Sequence, residues 1–415
     1  TLTCPIKLYF MKEFKEKTKD FFIVLNESVK SFQRNNNFER SASLAFFGFF
    51  SVIPLLLLVF YILGNFILSS DRAFLAVQNV TSQIFPEFIR VIAREVYALS
   101  EHREIWGPIT IITLFWWLTP LVGTIRNAFT KIFKTDEELP YFKSKTFDLL
   151  AAIIIVALSI ILVVSEVFYS MITVVFFKTP VLHRISNITA SFLLTVILMT
   201  VFYGIFSPVK VKIKYMLGGA LFSSLLWSIM RPVFFLFLKF NPSYGYTFGS
   251  LKALFILFIW VYYSFSVILL GAEVISNLRK KDALFLKGLF YNGYDKKKIQ
   301  HIMSRKFVQT YGKDDVIFNY DEEADKMFYI LSGSVHITRN NEVINVMKQG
   351  EYFGEISLLI NTKRTASAVA AEEHTQLVCI SQDNFGIILR EEGKITFSIL
   401  KEMAERLKNR TDDYV

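Results

Sequence analysis

The chain has 415 residues, of which 53% are hydrophobic, with 43 phenylalanines and a mean hydropathy of +0.41. This composition is too apolar for a soluble protein of this size, and most of the apolar excess lies before residue 280. The formal net charge of +10 does not indicate nucleic acid as a partner, because the basic residues lie beside apolar segments and no DNA-binding motif is visible.

Six apolar segments before residue 280 are long enough to cross a bilayer. Three carry no charge, 41–70, 105–125 and 185–209, and each reaches the roughly 20 residues that a span requires. Three more contain one ionisable residue each, Glu166 in 149–177, Arg231 in 215–238 and Glu273 in 253–278. After a basic segment 1–40, we therefore predict an all-α membrane domain over 41–280 with six spans, at about 43–68, 105–126, 147–177, 185–207, 215–239 and 250–278.

Lysines and arginines are concentrated in 1–42, 126–145, 210–214 and 279–281. With six spans these four segments lie on one side of the membrane, and the positive-inside rule places that side in the cytoplasm. We therefore predict a bacterial-type cytoplasmic-membrane protein with both termini in the cytoplasm and anionic lipid at its basic inner loops. The segment 69–104 is predicted to lie outside the membrane as amphipathic helix.

Three stretches of the membrane domain resemble a known family. The first span reads SASLAFFGFFSVIPLLLLVFYILG, Arg126-Asn127-Ala128-Phe129 follows the second, and NPSYGYTFGSLKALFILFIWVYYSFSVILLGAEVISNL surrounds the last. Over about residues 20–285 the chain resembles the YihY/BrkB-like family, whose members are described as candidate transporters and once carried a ribonuclease label. The family commonly has GSLGG before the last span, whereas this chain has Gly249-Ser250-Leu251-Lys252-Ala253. If this turn lines a transport pathway, Lys252 alters the charge of that pathway.

Charged side chains at bilayer depth cost at least about 2.5 to 3.5 kcal/mol on insertion scales, so each needs a partner, water or the interface. Glu166, Arg231, Glu273 and Lys252 are therefore candidates for a conduction or substrate route. Structural alternatives remain for two of them. Glu273 could pair with an arginine such as Arg279, and Arg231 could kink its helix together with Pro232.

The chain changes character after residue 280. Residues 281–313 are basic and contain glycines, and we predict a helical linker there with a helix from Lys296 to Gln309. Short apolar runs follow between Asp315 and Ser381, namely VIF, MFYIL, SVHIT, VINVM, AVAA and LVCI, separated by polar or glycine turns. This pattern predicts a small antiparallel barrel or jelly roll within 314–410, followed by a helix-forming run from Gln382 to Arg410.

Residues 353–367 of this domain read FGEISLLINTKRTAS. Gly354 permits close backbone approach, the amides of Ile356 and Ser357 open a short helix, and Arg364 with Thr365 supplies a charged fork and a hydroxyl. These groups suit a phosphate. Glu355 beside a phosphate is repulsive unless it has its own donor, which a ribose hydroxyl would provide. The alternative is an ordinary surface turn with a salt bridge.

Over roughly residues 300–410, this layout and motif resemble the cyclic-nucleotide-binding domain of bacterial catabolite-activator proteins, cyclic-nucleotide-dependent kinases and gated channels. The resemblance implies that Glu355 binds the ribose, while Arg364 and the Gly354–Ser357 amides bind the phosphate. Ser357 stands where the family usually has alanine. A threonine at the position of Thr365 favours cGMP in several members of the family, and hydroxyl residues also occur there in cAMP binders, so the choice between cAMP and cGMP stays open.

In that family a helix after the barrel closes over the purine. Met403, Arg406 and Leu407 are therefore candidates for a lid over the base. The alternative is that they belong to a plain amphipathic helix.

Signs of catalysis are missing from the sequence. The five histidines are single and scattered, Cys4 and Cys379 lie far apart, and there is no Walker loop, Gly-x-Ser-x-Gly elbow or Cys-x-x-Cys motif. We therefore expect no enzyme, no metal and no cofactor.

The sequence as a whole predicts a multidomain protein, a six-helix transmembrane bundle followed by a jelly-roll domain with flanking helices. We predict a transporter or channel modulated by cAMP or cGMP, with a second copy of the chain as a further partner to consider. The alternative is a nucleotide-sensing membrane scaffold or lipid-handling protein without a pore.

Overall fold

The computed structural model describes residues 21–62, 103–135, 140–176, 180–240, 252–290, 307–340 and 342–412. The chain forms two compact units, Thr1–Arg279 and Lys280–Val415. The described part of the first unit is helical, and that of the second unit contains two antiparallel sheets with helices.

Within its described residues, the first unit contains a helix over 21–34 (α1) and six longer helices. These are Asn37–Ile62 (α2), Arg103–Phe133 (α3), Tyr141–Phe176 (α4), Pro180–Phe206 (α5), Ile213–Phe240 (α6) and Lys252–Arg279 (α7). Each predicted span overlaps one long helix. Among the described residues, four stretches are long and apolar enough to cross a membrane, Tyr141–Ile161, Ile188–Phe206, Ile213–Phe237 and Phe255–Arg279, so the count of six spans is met only approximately. The predicted outer segment lies almost entirely in 63–102, outside the described residues.

The outward faces of these helices are apolar. Trp116 is 74% exposed, Ile112 70% and Ile188 63%, which suits side chains that meet lipid. An α-helix satisfies its backbone hydrogen bonds internally, as a bilayer requires. Several hydroxyls also donate to the carbonyl four residues earlier, those of Thr119, Thr124, Ser159, Thr195, Thr200 and Ser264.

Two glycines allow α6 and α7 to pack closely. A Cβ on Gly219 would overlap the side chain of Ile275, and one on Gly271 would overlap the hydroxyls of Ser223 and Tyr203. The Tyr203 hydroxyl lies 2.7 Å from Ser223 Oγ and donates to the carbonyl of Ile268 at 2.9 Å. Since a hydroxyl has one proton, Ser223 is the donor to Tyr203, and the contact joins α5, α6 and α7.

The second unit begins with a short helix, Lys281–Leu286 (α8), and a 3-10 turn, Lys287–Phe290. Eight strands follow, Val308–Tyr311 (β1), Val316–Phe318 (β2), Lys326–Ser332 (β3), Val335–Arg339 (β4), Glu342–Met347 (β5), Tyr352–Phe353 (β6), Ser367–Ala370 (β7) and Thr375–Ser381 (β8). The helices are Glu355–Leu359 (α9), Gln382–Glu391 (α10) and Gly393–Asp412 (α11). The strand orders are β1-β8-β3-β6 and β2-β7-β4-β5, with antiparallel pairing. The predicted jelly-roll class is confirmed.

Strand β3 separates two apolar cores. Phe328 and Ile330 belong to the cluster between the sheets, where Phe328 stacks on Phe353 at 5.3 Å. Met327 and Tyr329 belong to the cluster that includes residues of α10 and α11. Because successive side chains of a strand point to opposite faces, the uninterrupted run MFYIL fills both cores.

Two sequence predictions for this unit were wrong. Gln309 was placed at the end of a helix, but it lies in β1 opposite Leu377, because residues 308–311 pair with the free side of β8. The rest of that predicted helix, up to residue 306, lies outside the described residues. The run from Gln382 to Arg410 is two helices and not one, since Glu392 leaves helical geometry with φ −123° and ψ 78°.

Candidate functional site

Gly354 occupies a position that only glycine fits without strain. Its φ of 79° and ψ of 5° are left-handed, and it caps the N-terminus of α9. A Cβ at this position would lie 2.8 Å from Nη1 of Arg364. The backbone conformation and the neighbouring guanidinium therefore both require the absence of a side chain.

Arg364 is buried, with 3% of its surface exposed. Nη1 donates to the carbonyl of Gly354 at 2.9 Å and Nη2 to the carbonyl of Lys326 at 2.5 Å. The guanidinium carbon lies 4.2 Å from the ring centre of Phe318. Nε is buried and has no hydrogen-bond partner among the described residues. The Nε–H therefore still lacks an acceptor within the described part of the chain.

The backbone of Arg364 is clamped to the loop between β2 and β3. Its N–H donates to the carbonyl of Glu322 at 2.9 Å, and its own carbonyl accepts from the N–H of Asp321 at 3.0 Å. The neighbouring Lys363 forms an exposed salt bridge with Asp321 at 2.9 Å. These contacts fix the backbone of Arg364 against that loop, while its side chain is buried in the domain.

Burial and neighbouring carboxylates act on the charge of Arg364 in opposite directions. Burial lowers the pKa of Arg364, because desolvation disfavours the charged form. The carboxylates of Asp325, Glu322 and Glu355 raise the same pKa in opposition. A phosphate beside the guanidinium would add a further negative partner to a group that has lost much of its hydration.

The residues after Gly354 present different groups. Glu355 is 2% exposed and Ser357 3%, whereas Ile356 is 42% exposed. The first N–H groups of a helix have no partner within it, and an acidic residue in the first turn is favourable there. An ionised carboxylate only accepts hydrogen bonds, so Glu355 suits a hydroxyl and not a phosphate. The hydroxyl-bearing Thr365 is exposed.

The lid candidates are only partly described. Met403 is half-buried and packs on the cluster formed by residues such as Phe385, Ile388 and Ile399. Phe318, which Arg364 covers, belongs to the other cluster, between the sheets. Arg406 and Leu407 lie in α11, and their side chains are outside the described residues. The packing of Met403 is that of an amphipathic helix.

Glu273 is buried in the first unit, with 1% of its surface exposed. Its Oε1 accepts from Nδ2 of Asn35 at 2.6 Å and from Nδ2 of Asn37 at 2.7 Å. Close by in sequence, Nδ2 of Asn277 donates to Oγ of Ser28 at 3.1 Å. Amide donors at the α1–α2 junction therefore hold the carboxylate of α7. Sequence reasoning missed these asparagines, although three consecutive ones, at 35–37, just ahead of the span that begins at residue 41 were a usable signal.

The other intramembrane candidates are resolved to different degrees. Arg231 is half-buried in α6, and its Nε is buried without a partner in the part of the chain that the structure describes. Lys252 is the first residue of α7 and Glu166 lies within α4, but their side chains are outside the described residues. The structure therefore describes the side-chain surroundings of two of the four candidates, Arg231 and Glu273.

An ion pair between α3 and α4, with a buried carboxylate and a partly exposed guanidinium, was not singled out from the sequence. Nε of Arg126 lies 2.9 Å from Oδ1 of Asp148, which is fully buried, and Nη2 donates to Oγ of Ser144 at 2.5 Å. A Cβ on Gly123 would lie 3.3 Å from the same carboxylate. The predicted spans already placed Arg126 and Asp148 at adjoining ends of consecutive helices, which is the signal that could have found the pair.

Comparison with known families assigns both units. The family model described as Cyclic nucleotide-binding domain matches residues 308–392, the part of the chain that holds the two sheets and the Arg364 site. Fold and site thus define a membrane protein that carries a cyclic nucleotide-binding domain. The family model described as Virulence factor BrkB matches residues 28–285. The chain belongs to the BrkB family, and both resemblances read from the sequence are confirmed.

Relatives of the membrane unit are named as membrane proteins. A UPF0761 membrane protein of Psychromonas ingrahamii is 25% identical over 241 residues, covering 57% of this chain and 81% of the relative. Its counterpart in Coxiella burnetii is 27% identical over 252 residues, covering 58% and 86%.

Solved structures resemble part of the second unit. The Thermus thermophilus catabolite activator protein is 23% identical, and the match covers 30% of this chain and 61% of that protein, with a TM-score of 0.27. A structure of PKAR CBD2 with bound Sp-2Cl-cAMPS is 25% identical, covering 32% and 87%, with a TM-score of 0.25. The assignment of the domain itself rests on the family model.

Proposed function

We propose that the protein is a cyclic-nucleotide-regulated transporter or channel of the cytoplasmic membrane. The observation that carries the proposal is the contact between Gly354 and Arg364 beside Glu355, within a domain that matches the cyclic nucleotide-binding family. The unpartnered Nε of Arg364 supplies a charged donor where the family would place a phosphate.

The ligand in this proposal is cAMP or cGMP. Arg364 binds the phosphate together with the backbone amides of Gly354, Ile356 and Ser357, and the Thr365 hydroxyl adds a donor at the rim. Glu355 accepts from the ribose 2′-hydroxyl, which removes the conflict between a carboxylate and a nearby phosphate. Met403, Arg406 and Leu407 remain lid candidates for the base. The proposal contains no catalytic step and no metal.

Regulation would be a shift between two states of the membrane unit. A ligand can shift such an equilibrium only by its difference in affinity for the two states. The helices between Gln382 and Arg410 would change position on binding, and residues 281–313 would carry that change to α7. Glu166, Arg231, Glu273 and Lys252 are the proposed charged groups of the route. Both termini and the basic loops lie on the cytoplasmic side in this proposal, against anionic lipid.

One observation favours a second candidate, a nucleotide-sensing scaffold or lipid-handling protein without a pore. Glu273 is 1% exposed and is held by two asparagines, as a structural carboxylate would be. If all charged groups of the membrane unit are buried in hydrogen bonds in this way, the unit has no conduction route, and α7 transmits the effect of nucleotide binding to a partner.

Calorimetric titration of the full chain in nanodiscs with cAMP and with cGMP tests the proposed ligand. Arg364→Ala is expected to weaken binding by about 10- to 150-fold, because a hydrogen bond to a charged group contributes about 1.5 to 3 kcal/mol. Arg390→Ala, which changes an exposed arginine of α10, is the matched control and is expected to bind as the wild type does. An Arg364→Ala variant with unchanged affinity would remove Arg364 from the site.

Hydrogen–deuterium exchange on the same nanodiscs tests the regulation. Saturating nucleotide is expected to change exchange in α7, and Arg364→Ala is expected to abolish that change. If nucleotide binds tightly and exchange in α7 stays the same, the two units are not coupled and the regulatory proposal is wrong.

A further inference from the structure

One side of α6 carries buried polar groups that lack hydrogen-bond partners. Ser224, Trp227 and Arg231 are spaced at i, i+3 and i+7, so they share a face of the helix. Oγ of Ser224, Nε1 of Trp227 and Nε of Arg231 are all buried, and none has a partner within the described ranges. Three unsatisfied groups on one helix face form a cluster, and such groups are rare in folded proteins.

Trp260 of α7 adds a fourth group to the cluster. It is 1% exposed, and its Nε1 is also buried without a partner among the residues that the structure covers. Its ring meets that of Trp227 edge-on, with the centroids 6.2 Å apart and the planes at 79°. Phe234, one turn beyond Arg231 on the same face, lies 5.0 Å from the Trp260 ring. Trp260 therefore packs against the side of α6 that carries the other three groups.

The chemistry of these groups selects the ligand. Indole and guanidinium nitrogens only donate hydrogen bonds, and a serine hydroxyl can donate as well. A buried donor without an acceptor is costly, so four of them together call for a group with several acceptor oxygens. The positive charge of Arg231 adds a preference for an anion. A cation or an apolar molecule would leave all four donors unsatisfied.

The position of the cluster along α6 indicates two sources for such an anion. Arg231 lies six residues before Phe237, where the apolar span Ile213–Phe237 ends. That distance is about 9 Å along a helix axis, within reach of a phospholipid headgroup at the membrane surface. A water-soluble phosphate or carboxylate entering from the same end would meet the same donors.

We infer that Ser224, Trp227, Arg231 and Trp260 form a binding site for an anionic phosphate or carboxylate group in the membrane unit. The site would satisfy the four donors and neutralise an arginine that otherwise carries its charge into an apolar span. The inference concerns the membrane unit alone and holds whether or not the second unit binds a cyclic nucleotide.

Calorimetry on the full chain in phosphatidylcholine nanodiscs tests the site with inorganic phosphate and with acetate. Native mass spectrometry after extraction from phosphatidylglycerol vesicles tests the headgroup as the source. Arg231→Gln removes the charge, whereas Trp227→Phe and Trp260→Phe keep an aromatic ring and remove only the N–H. Trp117→Phe is the matched control, because Trp117 stacks on Phe50 outside the cluster.

Arg231→Gln is expected to weaken binding of the responsive probe by about 10- to 150-fold, and each Trp→Phe change at positions 227 and 260 by about 2- to 10-fold. Trp117→Phe is expected to bind as the wild type does. A response to phosphate or acetate identifies a soluble anion, and retained phosphatidylglycerol identifies a headgroup. The inference is overturned if the wild type binds none of the three probes, or if the variants at 227, 231 and 260 all match it. Should Arg231→Gln fail to fold, the two Trp→Phe variants decide.

Discussion

Nη1 of Arg364 lies 2.9 Å from the carbonyl oxygen of Gly354, and it would lie 2.8 Å from a Cβ on the same residue. The arginine thus occupies the space that a side chain at 354 would need. Arg364 in this position therefore requires glycine at 354. The left-handed backbone of Gly354, with φ at 79°, is a second and separate reason for glycine.

Gly354→Ala is expected to weaken cyclic nucleotide binding at least about tenfold, since the new methyl group displaces Nη1 of Arg364 by contact. It should also lower the free energy of unfolding by about 1 to 3 kcal/mol through backbone strain. Gly350→Ala is the control, because Gly350 has a φ of 93° and nothing within 4 Å of its added Cβ. Calorimetry and thermal unfolding of both variants separate strain from contact. Equal losses of affinity in the two variants would contradict the contact argument.

Glu355 can be tested with a change in the ligand. Glu355→Ala is expected to weaken binding of cAMP or cGMP, and Glu355→Gln to weaken it less, since an amide oxygen still accepts from the ribose. With the 2′-deoxy nucleotide as ligand, the difference between wild type and Glu355→Ala is expected to fall to less than about twofold. A penalty that persists with the deoxy ligand would mean that the carboxylate acts on α9 and not on the ribose.

Asn37→Ala removes a buried donor from Glu273. We expect a loss of about 1.5 to 3 kcal/mol in unfolding free energy, because the lost hydrogen bond is to a charged acceptor. Asn127→Ala, at an exposed position of α3, should change the same quantity by less than about 0.5 kcal/mol. Denaturant titration in detergent measures both. If the two variants lose the same amount, the asparagine does not stabilise the carboxylate.

The Arg126–Asp148 pair predicts a non-additive result. Asp148→Leu alone leaves the guanidinium without its 2.9 Å partner and should destabilise the protein by about 3 to 5 kcal/mol. The double variant Arg126→Met with Asp148→Leu should recover most of that loss, since an apolar pair replaces a largely buried ion pair at little net cost. Thermal unfolding of the two single variants and the double variant closes the cycle. Additive losses would show that the side chains act independently.

Local signals explain what the sequence could predict. A long uncharged run is enough to predict a membrane span. The nine-residue separation of Glu355 and Arg364 is a short-range spacing, so it identifies the motif without knowledge of the fold. The helical bundle, the jelly roll and the juxtaposition of Gly354 and Arg364 follow from such signals. The ends of helices are less clearly marked in the sequence; α4, for example, begins at Tyr141, six residues before the predicted span starts.

Partners that are distant in sequence explain what could not be predicted. Asn35 and Glu273 are 238 residues apart, and no periodicity encodes their contact. β1 reads VQTY, and four residues are too few to show a strand pattern, although three of them favour strands; its pairing with β8 joins residues about 70 apart. The donor cluster around Arg231 needs the packing of α7 against α6, which places Trp260 beside Trp227.

Arg364 bonds the carbonyl of Lys326, the first residue of β3, and β3 is the strand whose two sides face different cores. A ligand that draws the guanidinium away from that carbonyl would therefore free the first residue of β3, the strand between the two cores. A shift of β3 would move Phe328 in the core between the sheets and Tyr329 in the core that includes residues of α10 and α11. Binding at Arg364 would thus reach both cores of the second unit through one strand, because that strand is hydrogen-bonded to the arginine itself.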